Sequence, residues 1–168
     1  MFVLGDPASG KPRRIVGIDL GERRIGVALG DLETRTTSPF ATLSRSKSVA
    51  EDAAVLSRLA AEHGAEALVV GLPLNMDGSE GLQATRTRAW AEAVAAACGL
   101  PLRYRDERLT SERAERRIGA AARGRSGGPP SAAQRDARRA RIDREAAALI
   151  LQDDLDATLD ADPERSAT

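Results

Sequence analysis

Apolar positions in the first third of the chain follow the spacing of β-strands. Two β-branched runs, residues 14–20 and 25–30, are separated by a segment that begins with Gly21, and this arrangement predicts a hairpin. Residues 34–43 predict a third strand, which Pro39 places at a sheet edge because proline cannot donate a ladder hydrogen bond. The pattern therefore predicts an antiparallel meander of three strands.

Helix-like spacing and short apolar runs alternate along the rest of the chain. Ser48 and Glu51 have the spacing of a capping box, so a helix is predicted to begin there, with Val49 on its apolar face and Gly64 at its end. The continuous apolar run at 65–72 predicts a strand that is covered on both faces. Further helices are predicted at 82–98, 110–122 and 142–155, and a further strand at 102–106.

The order of these elements predicts an α/β fold, in which a mixed sheet is flanked by α-helices. The sheet would combine the antiparallel meander with parallel strands. The 168 residues suit one domain, which is predicted at residues 13–157. Residues 1–12 contain two Gly and two Pro residues and are predicted to be a disordered leader, and residues 158–168 are predicted to be an acidic flexible tail.

Composition narrows the environment and the partners of the protein. No run approaches the ~20 apolar residues of a membrane span, and no secretory signal is evident, so a cytoplasmic protein without a membrane partner is expected. The net charge is zero, but residues 103–144 hold thirteen Arg against six acids, a net of +7, which indicates a polyanionic partner. Two Phe, one Tyr and one Trp are too few for binding that depends on stacking bases against aromatic rings.

Three acidic residues stand at the predicted ends of structural elements. Asp19 ends the first strand, where it either caps the hairpin turn or binds a metal ion. Glu107 follows the strand at 102–106 and is either a first-turn acid of the next helix or a ligand, while the adjacent Asp106 points to the opposite face. Asp143 is predicted in the first turn of the last helix, again as a cap or a ligand.

Considered together, the three acids predict a metal site at one edge of the sheet. Three carboxylates without a basic partner would repel one another, and divalent cations would relieve that repulsion. Hard oxygen ligands select Mg²⁺ or Mn²⁺. Two such ions ~4 Å apart can activate water and stabilise the leaving oxygen of a phosphodiester. Asp19, Glu107 and Asp143 are therefore predicted to be catalytic and metal-binding residues.

Two further segments are predicted to bind substrate. The loop at 71–80 approaches a helix N-terminus, a natural place for phosphate, although it also fits an ordinary loop with Ser79 as the N-cap. Residues 123–141 are predicted to be flexible in their Gly/Pro half and partly helical in their Arg half, and they either contact phosphates or form a solvated face. The predicted substrate contacts are Asn75, Ser79, Arg108, Arg123, Arg125, Arg138, Arg139 and Arg141.

Four motifs, in order along the chain, resemble those of the YqgF/RuvX family. The first is DLGERRIGVA at residues 19–28, the second is GLPLNMDGSE at 71–80, and the third is DERLTS at 106–111. The last comprises Asp143, Ala146, Ala147, Ile150, Leu151 and Gln152. The resemblance spans about residues 14–155. It implies an RNase H-like fold related to that of RuvC resolvases, and it implies catalytic metal-binding roles for the three acids.

The resemblance also implies a function. A member of this family is expected to be a hydrolase, a metal-dependent nuclease that processes the 5′ end of pre-16S rRNA in the cytoplasm during ribosome biogenesis. The main alternative is a Holliday junction resolvase that acts on four-way DNA junctions in recombination and repair. The expected partners are nucleic acid, either precursor rRNA or branched DNA, and the ribosome, with the protein a monomer or a homodimer.

Two other classes of function fit less well. An actin-like nucleotide-binding protein shares the strand, Asp, Gly, turn and strand of the first motif, but 168 residues leave too little chain for the second lobe that would enclose a nucleotide. A non-catalytic assembly factor would not need three intact carboxylates.

Overall fold

A five-stranded mixed sheet forms the centre of the protein. The computed structural model describes residues 12–121, 123–124 and 126–160. The strands are β1 (Arg14–Leu20), β2 (Arg24–Asp31), β3 (Thr36–Ser44), β4 (Ala65–Leu72) and β5 (Leu102–Asp106), in the spatial order β3-β2-β1-β4-β5. The first three strands pair antiparallel, whereas β4 pairs parallel with both β1 and β5. The predicted α/β fold, with its meander and its edge strand at Pro39, is confirmed.

Helices cover both faces of this sheet. They are α1 (Val49–Glu62), α2 (Leu82–Cys98), α3 (Thr110–Ile118) and α4 (Ala132–Asp160). In β4, Leu68 and Val70 pack in the core cluster that contains residues of α1 and α2, while Ala67 and Val69 pack in the cluster that contains α4. The prediction that residues 65–72 are covered on both faces is therefore confirmed. Among the described helices, none combines the length and the apolar composition that a bilayer crossing requires.

Glycines in β1 and β2 let α4 lie unusually close to the sheet. A Cβ atom on Gly17 would lie 2.8 Å from the carbonyl oxygen of Ala147, and one on Gly26 would lie 2.0 Å from the carbonyl oxygen of Asp143. Such distances are far below van der Waals contact, so only glycine fits at these strand positions. The main chain of α4 is thus fixed against the sheet at Asp143.

The start of α1 differs from its prediction. Ser48 is the N-cap residue, but its side chain makes no capping hydrogen bond. The carboxylate of Glu51 instead accepts from the hydroxyl of Ser46 at 2.5 Å, and Asp52 accepts from the Ser46 amide at 2.8 Å. The predicted capping box is therefore wrong, because Ser46 takes the partner that Ser48 was expected to use. Val49 is also 40% exposed rather than on the buried face.

The helices around the Arg-rich segment also differ from their predictions. Helix α3 ends at Ile118, four residues early, because Gly119 adopts a left-handed φ of 82°. Helix α4 begins ten residues early, at Ala132. Ser131 and Gln134 form a reciprocal capping box there, with N–H to side-chain oxygen distances of 2.8 and 3.2 Å. The Arg-rich residues 132–141 are therefore helical.

The two predicted flexible termini fall largely outside the described residues. The predicted leader, residues 1–12, is described only at Pro12. Helix α4 continues to Asp160, so residues 158–160 of the predicted tail are helical, and residues 161–168 lie outside the description.

Asp154, a fully buried carboxylate on α4, pairs with two partly buried arginines of the edge strand β5. Its side chain is 0% exposed and accepts from Arg103 at 2.5 Å and from Arg105 at 2.8 Å. We expect Asp154→Ala to lower the free energy of unfolding by about 1–3 kcal/mol, because two partly buried guanidinium groups lose their hydrogen-bond acceptor. Urea unfolding monitored by circular dichroism measures this loss.

The neighbouring Asp153 supplies a matched control for that experiment. Asp153 pairs with Arg113, and both side chains are about one-third exposed or more. Because exposed ion pairs contribute less than about 1 kcal/mol, Asp153→Ala should cost less than Asp154→Ala. Equal losses in the two variants would show that Asp154 does not anchor the helix.

Candidate active site

Two of the three predicted carboxylates meet at the carboxyl edge of the sheet. Side chains alternate along β1, so Asp19 shares the α4 face with Ile15 and Gly17. Glu107 comes directly after β5, and its amide donates to the carbonyl oxygen of Leu72 at 3.2 Å, which extends the parallel pairing by one residue. The carboxyl groups of Asp19 and Glu107 lie close enough for the negative charge of Asp19 to act on Glu107.

Gly71 creates the space in which these two carboxylates meet. It lies in β4, between the strands that carry them. A Cβ atom at Gly71 would lie 2.3 Å from Oε2 of Glu107, so a larger residue would displace that carboxylate. Asp106, as expected, is directed elsewhere: it accepts from the side chain of Arg108 at 2.7 Å.

Burial makes this carboxylate pair hold a proton unusually tightly. Burial, together with the negative charge of Asp143, raises the pKa of Asp19 to about 6, although the neighbouring Glu107 carboxyl group opposes the rise. Burial, followed by the charge of Asp19, raises the pKa of Glu107 to about 9. Glu107 therefore holds a proton at neutral pH unless a cation replaces it.

Asp143 lies close enough to influence Asp19, but its carboxylate is paired with an arginine. Nε of Arg24 donates to Oδ2 of Asp143 at 2.6 Å, and Nη1 of Arg24 donates to Oδ1 of Asp136 at 3.0 Å. The expectation that the three acids have no basic partner is therefore wrong. Because α4 begins at Ala132, the prediction of Asp143 in the first turn is also wrong, and the capping interpretation is excluded.

The three carboxylates suit a divalent cation, although they are not arranged around one. Among the described residues, no group of three acidic, His or Cys side chains is close enough to hold a metal ion, since Asp143 is turned towards Arg24. Oε2 of Glu107, however, is buried and has no hydrogen-bond partner within the described part of the chain. An orphaned carboxylate oxygen, in the space left by Gly71, is what a hard cation such as Mg²⁺ would satisfy.

In the loop after β4, the side chains of Asn75 and Ser79, which were predicted to bind substrate, are hydrogen-bonded to each other. Nδ2 of Asn75 donates to Oγ of Ser79 at 2.9 Å, and Ser79 in turn bonds Asp77. The interpretation of Ser79 as an N-cap is excluded, because Gly81 occupies that position before α2. Arg108 donates to the carbonyl oxygen of Met76 at 3.0 Å, which ties this loop to the one after β5. Asn75 and Ser79 are exposed.

The predicted arginine contacts fall into two groups. Arg123, Arg139 and Arg141 are exposed, whereas Arg138 donates to the carbonyl oxygen of Gly119 at 3.1 Å and so holds the end of α3. Arg125 lies outside the described residues. Of the exposed group, Arg139 and Arg141 lie on α4, four and two residues before Asp143.

Arg24 was missed by the sequence analysis as a residue of the site. Its only sequence signal was its place in the first motif, and its partners lie 119 and 112 residues further along the chain. Two exposed apolar side chains were also missed: Met76 and Leu109 are 74% and 50% exposed, on the two loops joined by Arg108. Leu109 has a left-handed φ of 61°, which is uncommon for a residue with a side chain.

Glu107 holds a proton that a bound metal ion would displace, so the effect of pH on the free energy of unfolding should depend on metal. In metal-free protein, raised pKa values mean that the folded state binds protons more tightly than the unfolded chain does. Lowering the pH from about 9 to about 5 should therefore stabilise the fold, relative to the double variant Asp19→Asn/Glu107→Gln. With saturating Mg²⁺ the sign reverses, because the cation binds ionised carboxylates, so the rise in Tm caused by Mg²⁺ should shrink as the pH falls.

Scanning calorimetry across that pH range, with and without Mg²⁺, measures both trends. The double variant is the control, because it keeps the shape of the site and removes both titrating groups. A Mg²⁺-dependent rise in Tm that is independent of pH, or equally large in the double variant, would exclude these two carboxylates as ligands.

Comparison with known proteins identifies sequence relatives along most of the chain. The sequence model of RuvX, described as a Holliday junction resolvase, matches residues 13–157. A protein from Acidiphilium cryptum named "Putative pre-16S rRNA nuclease" is 40% identical over 166 residues, which cover 98% of each chain. A protein of the same name from Synechococcus elongatus is 48% identical over 141 residues, which cover 84% of this chain and 87% of that one.

One solved structure confirms the type of fold. RuvC from T. thermophilus, solved in complex with a Holliday junction substrate, superimposes with a TM-score of 0.51 at 17% identity, covering 88% of this chain and 96% of RuvC. The fold is thus RNase H-like, as the order of elements and the motifs implied. A family model that matches nearly the whole described chain, and relatives at this level of identity, show that the chain belongs to the RuvX family.

Proposed function

We propose that the protein is a metal-dependent nuclease that hydrolyses phosphodiester bonds at the 5′ end of pre-16S rRNA. The observation that carries the proposal is the meeting of Asp19 and Glu107 across Gly71, with Asp143 beside them. The names of the relatives, which match along most of the chain, support the choice of RNA. The proposal places the protein in the cytoplasm on a ribosome precursor, as a monomer or a homodimer.

Asp19, Glu107 and Asp143 are proposed to hold Mg²⁺ or Mn²⁺, and two ions would suit a set of three carboxylates. When bound, such ions activate a water molecule and stabilise the leaving oxygen. Asp19 is fixed by β1 and Glu107 by its main-chain bond to Leu72, so both ligands are held by the sheet rather than by flexible loops. Rigid placement of this kind is what cleavage at a defined bond requires.

The chain's other polar groups would hold the RNA backbone. The exposed residues Arg139 and Arg141 lie on α4 just before Asp143, and they can neutralise phosphates on either side of the cleaved bond. Asn75 and Ser79 present hydrogen-bonding groups from the loop after β4. Arg108 is already bonded to Asp106 and Met76, so it is proposed to shape the loop before it contacts RNA.

Cleavage of a four-way DNA junction is the alternative, and the description of the RuvX family favours keeping it. One assay separates the two activities. Precursor RNA with an extended 5′ end and a four-way DNA junction are each incubated with the protein and Mg²⁺, then with EDTA, then with Mg²⁺ restored.

We expect the RNA to be cut near the mature 5′ end, the activity to disappear with EDTA, and Mg²⁺ to restore it. Faster cutting of the junction, with the RNA left intact, would replace the proposed substrate by the alternative one. Failure to cut either substrate, with RNA binding retained, would indicate a non-catalytic assembly factor.

A further inference from the structure

Arg24 stands between the carboxylate site and the protein surface. It is the first residue of β2, and its guanidinium bonds both Asp143 and Asp136 of α4. The side chains of Arg24 and Asp143 are 26% and 24% exposed, whereas that of Asp136 is 73% exposed. Arg24 therefore connects an inner carboxylate, which belongs to the proposed site, with an outer one that faces solvent.

We propose that Arg24 is a phosphate-binding residue that exchanges partners during the reaction. In the metal-free protein it neutralises Asp143. When a divalent cation takes Asp143, Arg24 keeps Asp136 and turns its released N–H groups to the phosphate that is cleaved. This inference rests on the proposed function, because it requires Asp143 to be a metal ligand.

The exchange requires only side-chain rotation, because the main chain of α4 is fixed against the sheet. A Cβ at Gly26 would already lie 2.0 Å from the main-chain oxygen of Asp143, so the helix cannot approach further, and its contacts with the sheet hold it in place. The carboxylate of Asp143 must therefore leave Arg24 by rotation when it binds a cation. Arg24 is then a partly buried guanidinium that has lost its inner partner.

Asp136 keeps Arg24 near the site after the exchange. It lies seven residues before Asp143, two turns along the same face of α4, or about 10 Å towards the helix start. A guanidinium carries five N–H donors in a planar fork that fits phosphate oxygens, and Asp136 occupies only one edge of it.

Charge balance favours the same exchange. Within the described residues, Arg24 is the cation that bonds to one of the three predicted ligands. Arg24 bonds Oδ2 of Asp143, and a divalent ion on that same oxygen would lie beside the guanidinium and be repelled by it. Binding of a metal ion and of a polyanionic substrate would therefore be coupled, since the first releases the group that receives the second.

The test measures metal affinity and cleavage separately. Binding of Mn²⁺ to the full chain without RNA is followed by the electron paramagnetic resonance signal of free Mn²⁺, for the wild type, Arg24→Gln and Arg24→Lys. Arg23→Gln is the matched control, because it removes the same charge from an exposed neighbour. We expect Arg24→Gln to bind Mn²⁺ about fivefold tighter, since its competitor for Asp143 is gone, and Arg23→Gln to change affinity less than about twofold.

Cleavage of precursor RNA at saturating Mn²⁺ should respond in the opposite direction. We expect kcat/KM to fall about a hundredfold in Arg24→Gln, with partial recovery in Arg24→Lys, because the phosphate loses a charged hydrogen-bond donor. Weaker Mn²⁺ binding in Arg24→Gln would overturn the exchange and show that Arg24 only holds Asp143 in position. Tighter binding with full cleavage would overturn the contact with phosphate.

A parallel variant distinguishes failure of this inference from failure of the proposed function. If Asp143→Asn binds Mn²⁺ as tightly as the wild type does, Asp143 is not a ligand, and the proposed site and the exchange both fall. If Asp143→Asn loses Mn²⁺ affinity while Arg24→Gln leaves affinity unchanged, the proposed site stands and the exchange alone is wrong.

Discussion

Replacing Asp19 with asparagine is expected to lower kcat/KM for precursor RNA on the order of 10³-fold, because a ligand worth several kcal/mol in the transition state is lost. The asparagine side chain has the same shape as that of aspartate and would keep its place against Glu107. Since burial already raises the pKa of Asp19, removing that charge should leave the metal-free protein as stable as the wild type or more so. Single-turnover cleavage and thermal unfolding measure the two effects.

Asp31→Asn is the control for this substitution. Asp31 ends β2 at the opposite edge of the sheet, where it pairs in register with Arg14, and it caps the exposed turn that follows. It should therefore leave kcat/KM unchanged. Normal cleavage by Asp19→Asn would show that the proposed site does not carry out the reaction.

Gly26→Ala is expected to remove most of the activity without touching any carboxylate. The new Cβ would lie 2.0 Å from the carbonyl oxygen of Asp143 and 2.3 Å from its carbonyl carbon, and helix main chain cannot yield as a side chain can. Helix α4 must move away from β2, and Asp143 moves with it. Gly26 is the register partner of Asp19, so the displacement occurs next to the site. We expect a loss of about 1–3 kcal/mol in stability and of about a hundredfold in kcat/KM.

Gly30→Ala separates the loss of stability from the loss of activity. Gly30 lies on the same face of β2, but its new Cβ would meet mainly the side chains of Leu151 and Ile15, at 2.9 and 3.0 Å. Those side chains can rotate, so the position of Asp143 should be kept. Urea unfolding and cleavage are compared in the two variants, and an equal loss of activity in both would show that the position of Asp143 is not what Gly26 protects.

The strands could be predicted from the sequence because local signals mark both their ends and their faces. The β-branched run of β1 and the continuous apolar run of β4 indicate strands that are covered by other elements, and Gly21 marks the turn after β1. The convergence of Asp19 and Glu107 follows from these strands, since carboxyl ends of parallel strands meet at one edge. The position of these two residues at one edge could therefore be predicted from the strands, whereas the space that Gly71 leaves for them is seen only in the structure.

The first third of α4 could not be recognised from periodicity. Residues 132–141 are mostly Arg and Ala and have no apolar stripe, so helical spacing begins only at Ile142. The capping box of Ser131 and Gln134 was the available signal, and the contact of Arg138 with Gly119 stabilises the segment once the chain has folded. Because the helix was predicted to begin only at residue 142, Asp143 fell in its first turn and could be interpreted as a helix cap.

The pairing of Arg24 with Asp143 lies beyond local sequence reasoning altogether. The two residues are 119 positions apart, and their contact exists only because α4 crosses the glycines of β1 and β2. Glycine within a strand is a signal of such close approach, and Gly26 and Gly71 could have been interpreted in that way. Which side chain would come close still depends on the packed structure.

Asp19, Glu107 and Asp143 are proposed to hold the catalytic metal ions together. Crystals of the protein grown with saturating Mn²⁺ test this proposal directly, because anomalous scattering locates manganese without reference to any expected ligand. We expect anomalous density bounded by the three carboxylates, with Arg24 turned away from Asp143. Manganese bound elsewhere, with Asp143 still paired with Arg24, would show that these three carboxylates are not the metal site.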